Sequence, residues 1–218
     1  MKTNRYKTFI FDCDGVILNS NKIKTAAFYK TALPYGDDIA QLLVDYHINN
    51  GGISRYEKFN YMLEKISSKK PTLEELLITY QNEVMNGLLS CDIAKGLTEF
   101  RKKSKDIKWI IISGGDEQEL RKIFKIRDLS YMFDGGIFGS PNTKDMIVKR
   151  ELDNKNIIMP AIFFGDSKYD MQVAVRNRFD AVFLYNWTEF KNWQNYCQEQ
   201  DITCFRDIRE FADGFFRC

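Results

Sequence analysis

Two aspartates separated by one residue, Asp12-Cys13-Asp14, follow the apolar run Thr8-Phe9-Ile10-Phe11 and precede Gly15. An unbroken apolar run of this kind reads as a strand buried on both faces of a parallel sheet. Carboxylates at its end stand at the carboxyl edge, where open α/β folds place their ligands. Like charges this close repel unless a cation or a shared proton relieves them. The pair therefore suggests a metal-assisted nucleophile with an acid/base partner. Asp-x-Asp-Gly is also a good turn sequence, so the pair alone leaves a structural reading open.

Three more polar groups follow short apolar runs. Ser113-Gly114-Gly115 comes after 107–112, and Lys144 comes after a short strand near 136–139 and Ser140-Pro141. Gly165-Asp166-Ser167 comes after 161–164, with Asp170 one helical turn beyond. If consecutive strands are parallel, all these ends share one edge. That edge then gathers Asp12, Asp14, Asp166 and Asp170, a hydroxyl with flexible backbone amides, and one lysine. Such a set suits a divalent cation plus a phosphate. Hard oxygen ligands without Cys or His favour Mg²⁺ over zinc. Ser113 and the amides at Gly114 can donate to phosphate oxygens, helped by the N-terminus of the next helix, and Lys144 can neutralise remaining charge.

The elements that must position these groups are readable from periodicity. After Gly15 the pattern turns helical. Ile39, Leu42, Leu43 and Tyr46 form one stripe, Phe59, Met62, Leu63 and Ile66 a second, and Leu73, Leu76, Leu77, Tyr80 and Val84 a third. Ser54-x-x-Glu57 and Thr72-x-x-Glu75 announce two helix starts as capping boxes. From Gly96 onward strands and helices alternate, with strands expected at 107–112, 136–139, 161–164, 181–185 and near Ile202. This alternation predicts an α/β fold, a Rossmann-like parallel sheet with helices on both faces. Residues 1–17 and 91–218 form the expected core, and 18–90 a helical unit inserted after the first strand.

Composition narrows the classes. A chain of 218 residues, 44% apolar, has room for one large domain or a core plus a smaller insert. A net charge of +2 gives no reason to expect nucleic acid or an anionic membrane. Arg101-Lys102-Lys103-Ser104-Lys105 reads as a solvated helix end. Five cysteines (Cys13, Cys91, Cys197, Cys204, Cys218) show no paired metal spacing and are odd in number. Without a secretory segment, they suggest a reduced, cytoplasmic protein. Cys13 is expected to point away from the site as an inert thiol. The single histidine, His47, reads as structural or exposed, which argues against His-based triads and zinc clusters.

The segments Phe11-Asp12-Cys13-Asp14-Gly15-Val16, Ile111-Ile112-Ser113-Gly114, Ser140-Pro141-Asn142-Thr143-Lys144 and Gly165-Asp166-Ser167-Lys168-Tyr169-Asp170 follow one another along the chain. In type and order they resemble the haloacid dehalogenase superfamily, in the branch with a helical cap after the first strand, which includes phosphoglycolate phosphatases and β-phosphoglucomutases. The resemblance implies Asp12 as nucleophile, Asp14 as general acid/base, and Ser113 and Lys144 as holders of the phosphoryl group. It implies Mg²⁺ bound by Asp12, the Asp14 carbonyl and Asp166, with Asp170 in direct or supporting contact. Burial under the cap and a neighbouring carboxylate are expected to raise the Asp14 pKa, suiting it to protonate a leaving oxygen. Asp14 also disfavours dehalogenases, whose halide leaves without a proton, and phosphonate-cleaving relatives, which carry a small residue there. Arg176-Asn177-Arg178-Phe179 departs from the small residues usual before the next strand, without touching an implied catalytic group.

Within the implied cap, Gly51-Gly52 allows a sharp turn and Ser54 opens a helix with Arg55 at its first position. Arg55 is an expected substrate contact that helps close the cap; the bland alternative is a helix–helix turn with a solvated arginine. The resulting expectation is Mg²⁺-dependent hydrolysis of a small phosphorylated metabolite, a sugar phosphate or short phosphorylated acid, by a monomer or homodimer. A phosphosugar mutase and a catalytically silent binding protein are the alternatives.

Overall fold

The computed structural model describes residues 6–67 and 70–216, so Cys218 lies outside the described residues. Six strands, β1 (Thr8–Phe11), β2 (Lys108–Asp116), β3 (Ile137–Ser140), β4 (Ala161–Gly165), β5 (Asp180–Leu184) and β6 (Thr203–Phe205), form one sheet in the order β3-β2-β1-β4-β5-β6. Every neighbouring pair is parallel. The fold is a Rossmann-like α/β sheet. Strand β1 lies between β2 and β4, so chain order reverses on either side of it and a crevice opens at its carboxyl end. Register completes the placement. Phe11 lies level with Ile111 and Phe164, so Asp12, Ser113 and Asp166 emerge within a residue or two of the same edge.

Side-chain alternation along the strands divides the core. Phe9 and Phe11 join Trp109 and Phe164 on one face, while Ile10 joins Ile110 and Phe163 on the other. The first face is covered by α5 (Leu97–Lys103), α6 (Glu117–Ile126) and α10 (Ile208–Phe215), through Phe100, Ile123 and Phe211. The second is covered by α7 (Lys144–Asp153) and α8 (Lys168–Arg176), through Ile147 and Val173. Trp193, which opens α9 (Trp193–Glu199), stacks on Tyr185 and Phe183. No helix among the described residues is long and apolar enough to cross a membrane.

Between β1 and α5 lie four further helices: α1 (Asn21–Ala32), α2 (Asp37–Asn49), α3 (Arg55–Lys65) and α4 (Leu73–Ser90). Ser54 caps α3 by accepting from the Glu57 amide, and Thr72 with Glu75 completes a capping box on α4. The two connections to this block meet. Leu18 and Ile93 form an antiparallel bridge, and Asn19 and Ala94 donate across it to Asp92 and Ile17.

Two expectations need correction. The buried face of α2 is Ala40, Leu43, Val44 and His47, one residue on from the stripe read in the sequence. Tyr46 turns outward instead and stacks on Tyr61 at 3.8 Å. Strand β2 does not end at residue 112 but continues through Ser113-Gly114-Gly115, because Asp116 pairs with Ser140 beyond a register irregularity.

The aromatic cluster under β1 carries much of the packing. Phe164 is fully buried, stacked on Phe11 at 4.8 Å and edge-on to Phe211 at 4.8 Å. Phe164→Ala is expected to lower unfolding free energy by about 3–5 kcal/mol, read from urea denaturation.

Candidate active site

The floor of the site is built where β1, β2 and β4 end. Asp12 is 3% exposed, and its amide donates to the Phe164 carbonyl, which ties the loop after β1 to β4. Its Oδ1 lies 2.9 Å from Lys144 Nζ without hydrogen-bond alignment. Lys144, at the first turn of α7, is also paired with Asp170 Oδ1. Asp170 Oδ2 accepts from the amide and hydroxyl of Ser167, closing the capping box of α8. Asp166 Oδ2 accepts from Asn21 Nδ2 at 2.6 Å, and Asn21 also donates to the Trp187 carbonyl. Gly15 is required here: its φ is +73°, and a Cβ would collide with the Asp166 carboxylate. Ser113 Oγ accepts from the Gly115 amide at 3.0 Å, which leaves the hydroxyl proton free to donate. Ser113, Lys144 and Asp170 lie behind the cavity wall, to which Asp12, Asp14, Gly114 and Asp166 contribute.

Electrostatics follow from this crowding. Burial, with the Asp170 and Asp14 charges, outweighs Lys144 and pushes the Asp12 carboxyl up to about 7. Burial and the charges of Asp12 and Asp170 hold Asp166 well above the carboxylate range. Asp14 goes the other way. Burial raises it, but the Lys24 ammonium 2.5 Å away and the Ser20 hydroxyl at 2.6 Å win, and its pKa is lowered. The expected upward shift of Asp14 is thus reversed by Lys24, a residue the motifs gave no role.

Asp12, Asp166 and Asp170 each offer a carboxylate oxygen, all within 4.8 Å of one another. The donors are hard oxygens, and the Asp12 Oδ1 atom is buried without a hydrogen bond. Together they fit a divalent cation of the Mg²⁺ kind. Asp170, with one oxygen on Lys144 and the other on Ser167, is better placed to support than to ligate.

Opposite this floor the helical block supplies the roof of a cavity of about 310 Å³. Arg55 lines it, yet its guanidinium is not solvated: it forms a two-pronged pair with Glu119 of α6, including Nη1 to Oε2 at 3.0 Å. It also lies 4.7 Å from the centre of the Tyr80 ring. Tyr56 donates to Asp116 Oδ2 at 3.0 Å, so the first turns of α3 and α6 are clipped together twice. Gly114 completes the closure, because a Cβ there would collide with the Gly52 carbonyl. Lys58, also buried, has His47 Nδ1 as its partner at 2.7 Å. Burial and the Lys24 and Lys144 charges pull the Lys58 ammonium down to about 7, against the opposing pull of Asp14 and Asp12. Burial, then Lys58 and Lys24, holds His47 well below its usual value. Cys13 is buried in the core cluster, where burial pushes its thiol up, and the four described cysteines are free.

Sequence reasoning missed Ser20, Asn21, Lys24, His47, Tyr80 and Glu119 as site residues. A signal existed for some. Lys24 shares the buried face of α1 with Ala27, Phe28 and Thr31, and Arg55 and Lys58 share that of α3 with Phe59 and Met62. Cations at positions that helical periodicity reserves for the core must face a polar cavity or a partner.

The sequence profile described as haloacid dehalogenase-like hydrolase matches residues 9–183. No curated protein matches the chain. Among solved structures, a predicted phosphatase from Clostridium acetobutylicum superposes with TM-score 0.75 at 16% identity, covering 99% of this chain and 100% of that one. A hydrolase from Pseudomonas syringae gives 0.72 at 18%, covering 97% and 98%. A β-phosphoglucomutase from Clostridium difficile gives 0.70 at 18%, covering 98% and 100%. At these identities the likeness is one of fold.

Two expected outcomes follow from the buried charges. Arg55→Met strands the Glu119 carboxylate and should cost about 3–5 kcal/mol, while Arg55→Met with Glu119→Leu recovers most of it, measured by urea denaturation. For Lys58, the unfolded chain holds a proton that the folded chain releases between pH 7 and about 10.5, so stability rises with pH across that window. Lys58→Met should therefore exceed wild type most below pH 7, with melting temperatures converging toward pH 10.

Proposed function

Taking as premise that this chain belongs to the haloacid dehalogenase-like hydrolase family, we propose that it is an Mg²⁺-dependent phosphatase of a small phosphomonoester. The observation that carries the reading is Asp12, a buried carboxylate at the topological switch of the sheet, beside Lys144 and Asp166 and facing a roofed cavity. The cavity volume is at the small end for ligand sites, which suits a metabolite better than a folded phosphoprotein.

In the proposed reaction an Asp12 oxygen attacks phosphorus as the bond to the leaving oxygen breaks, giving an aspartyl-phosphate. The Gly114 amide donates to the phosphoryl oxygens at the cavity wall, backed by the Ser113 hydroxyl, and Lys144 offsets their charge from behind. The leaving oxygen needs one proton. We place it on the Lys24–Asp14 pair, where it resides on nitrogen and passes through the carboxylate. Water then attacks the aspartyl-phosphate, its proton returns to the same pair, and Asp12 and inorganic phosphate are released. The cation, held by Asp12, the Asp14 carbonyl and Asp166 with Asp170 in support, would offset negative charge on the transferring group. Arg55, through Glu119, serves by holding the roof over the site.

The test is phosphate release from sugar phosphates, nucleotides and short phosphorylated acids. Release should require Mg²⁺, stop with EDTA, and fall below about a thousandth of wild type in Asp12→Asn. Isomer formation without free phosphate would overturn the hydrolytic reading in favour of a mutase. Turnover undiminished in Asp12→Asn would overturn both.

A further inference from the structure

Charge accounting among the buried cations of the cavity singles out one group. Lys144 is matched by Asp12 and Asp170, Lys24 by Asp14, and Arg55 by Glu119. Lys58 is 3% exposed, and among the described residues no carboxylate stands within ion-pair distance of it. Its partner is the Nδ1 of His47, a ring that burial and the Lys58 and Lys24 charges hold well below its usual pKa and so neutral. Phe28 shelves both groups, its ring 5.4 Å from Lys58 Nζ and 4.6 Å from the His47 ring. An ammonium buried without a counter-charge is costly, and a Met at this position would fill similar space without that cost. Lys58 and His47 both line the cavity. They belong to α3 and α2, on the roof, whereas Asp12 and Asp14 belong to the floor. A ligand with its phosphoryl group at Asp12 therefore presents its other end to this lysine.

We propose that Lys58, oriented by His47, is a subsite for a second anionic group of the substrate, so that the preferred substrate is a short phosphomonoester bearing a carboxylate or another phosphate. This rests on the phosphatase reading for the reaction, but the subsite itself is a matter of binding. The second anion supplies the counter-charge that the protein omits. It also holds the ammonium protonated where its surroundings would otherwise let it go. A neutral alcohol or sugar end leaves the buried ammonium without a charge partner.

The experiment compares three ligands built on the same two-carbon unit: phosphoglycolate, 2-hydroxyethyl phosphate and ethylene glycol bisphosphate. Thermal unfolding is followed in EDTA, where no turnover is expected, with wild type, Lys58→Met and Lys58→Arg. Wild type should be stabilised more by either doubly acidic ligand than by 2-hydroxyethyl phosphate, and the larger of the two shifts tells carboxylate from phosphate. In Lys58→Met the advantage should vanish, and in Lys58→Arg part of it should return. With Mg²⁺, the specificity constant of wild type should favour the doubly acidic ligand by about ten- to hundredfold, collapsing toward parity in Lys58→Met. Equal stabilisation by all three ligands in wild type, or an advantage that survives Lys58→Met, overturns the subsite. Absence of phosphate release from every ester would defeat the phosphatase reading alone, because the unfolding shifts still report on Lys58.

Discussion

Lys144 carries its ammonium to the carboxyl edge of the sheet, 1% exposed, and sets it between Asp12 and Asp170. Three largely buried carboxylates converge there, and one lysine cannot balance them. Burial first, and the surplus negative charge with it, drives the pKa values of Asp12 and Asp166 upward, and that surplus is the physical reason the edge can attract a divalent cation. Much of the surrounding structure answers to this constraint. Gly15 gives up its side chain so that the Asp166 carboxylate can approach, Asn21 steadies that carboxylate, and the capping box of α8 fixes Asp170.

The helical block answers the floor with positive charge. Lys24, Arg55 and Lys58 all point from its helices into one cavity, and each has a different kind of partner: a floor carboxylate, a core glutamate and a neutral imidazole. The first two partners belong to the other part of the molecule, so closure itself supplies their counter-charges. The same contacts that pair Lys24 and Arg55 also bury both cations, which strengthens each pair.

Much of the sheet edge is legible in the sequence, because its residues sit at fixed positions relative to apolar strands. Asp12, Ser113 and Asp166 each follow a run whose burial on both faces is visible as continuous apolar character, while Lys144 follows the short edge strand β3. Parallel order then brings their ends together. The roof was harder to read. Arg55 could be singled out from its glycine turn and capping serine, but nothing local names Glu119 as its partner, because the two lie 64 residues apart. The Asp14 shift was misjudged for the same reason: the dominant neighbour, Lys24, is set by how α1 lies across the loop. The α2 stripe slipped by one residue because an aromatic, Tyr46, found its partner on the outer surface instead of in the core.

The bridge between Leu18 and Ile93, with its flanking backbone bonds at Asn19 and Ala94, has a consequence for how this molecule can diversify. The outgoing and returning chain are zipped side by side, so the helical insert hangs from a single short ribbon. Nothing in the strand registers depends on how many residues lie beyond that ribbon. A block of different length or shape beyond α1 could be grafted there as a cassette, replacing the roof while the strand registers stay as they are and Asn21 and Lys24 keep their hold on Asp166 and Asp14.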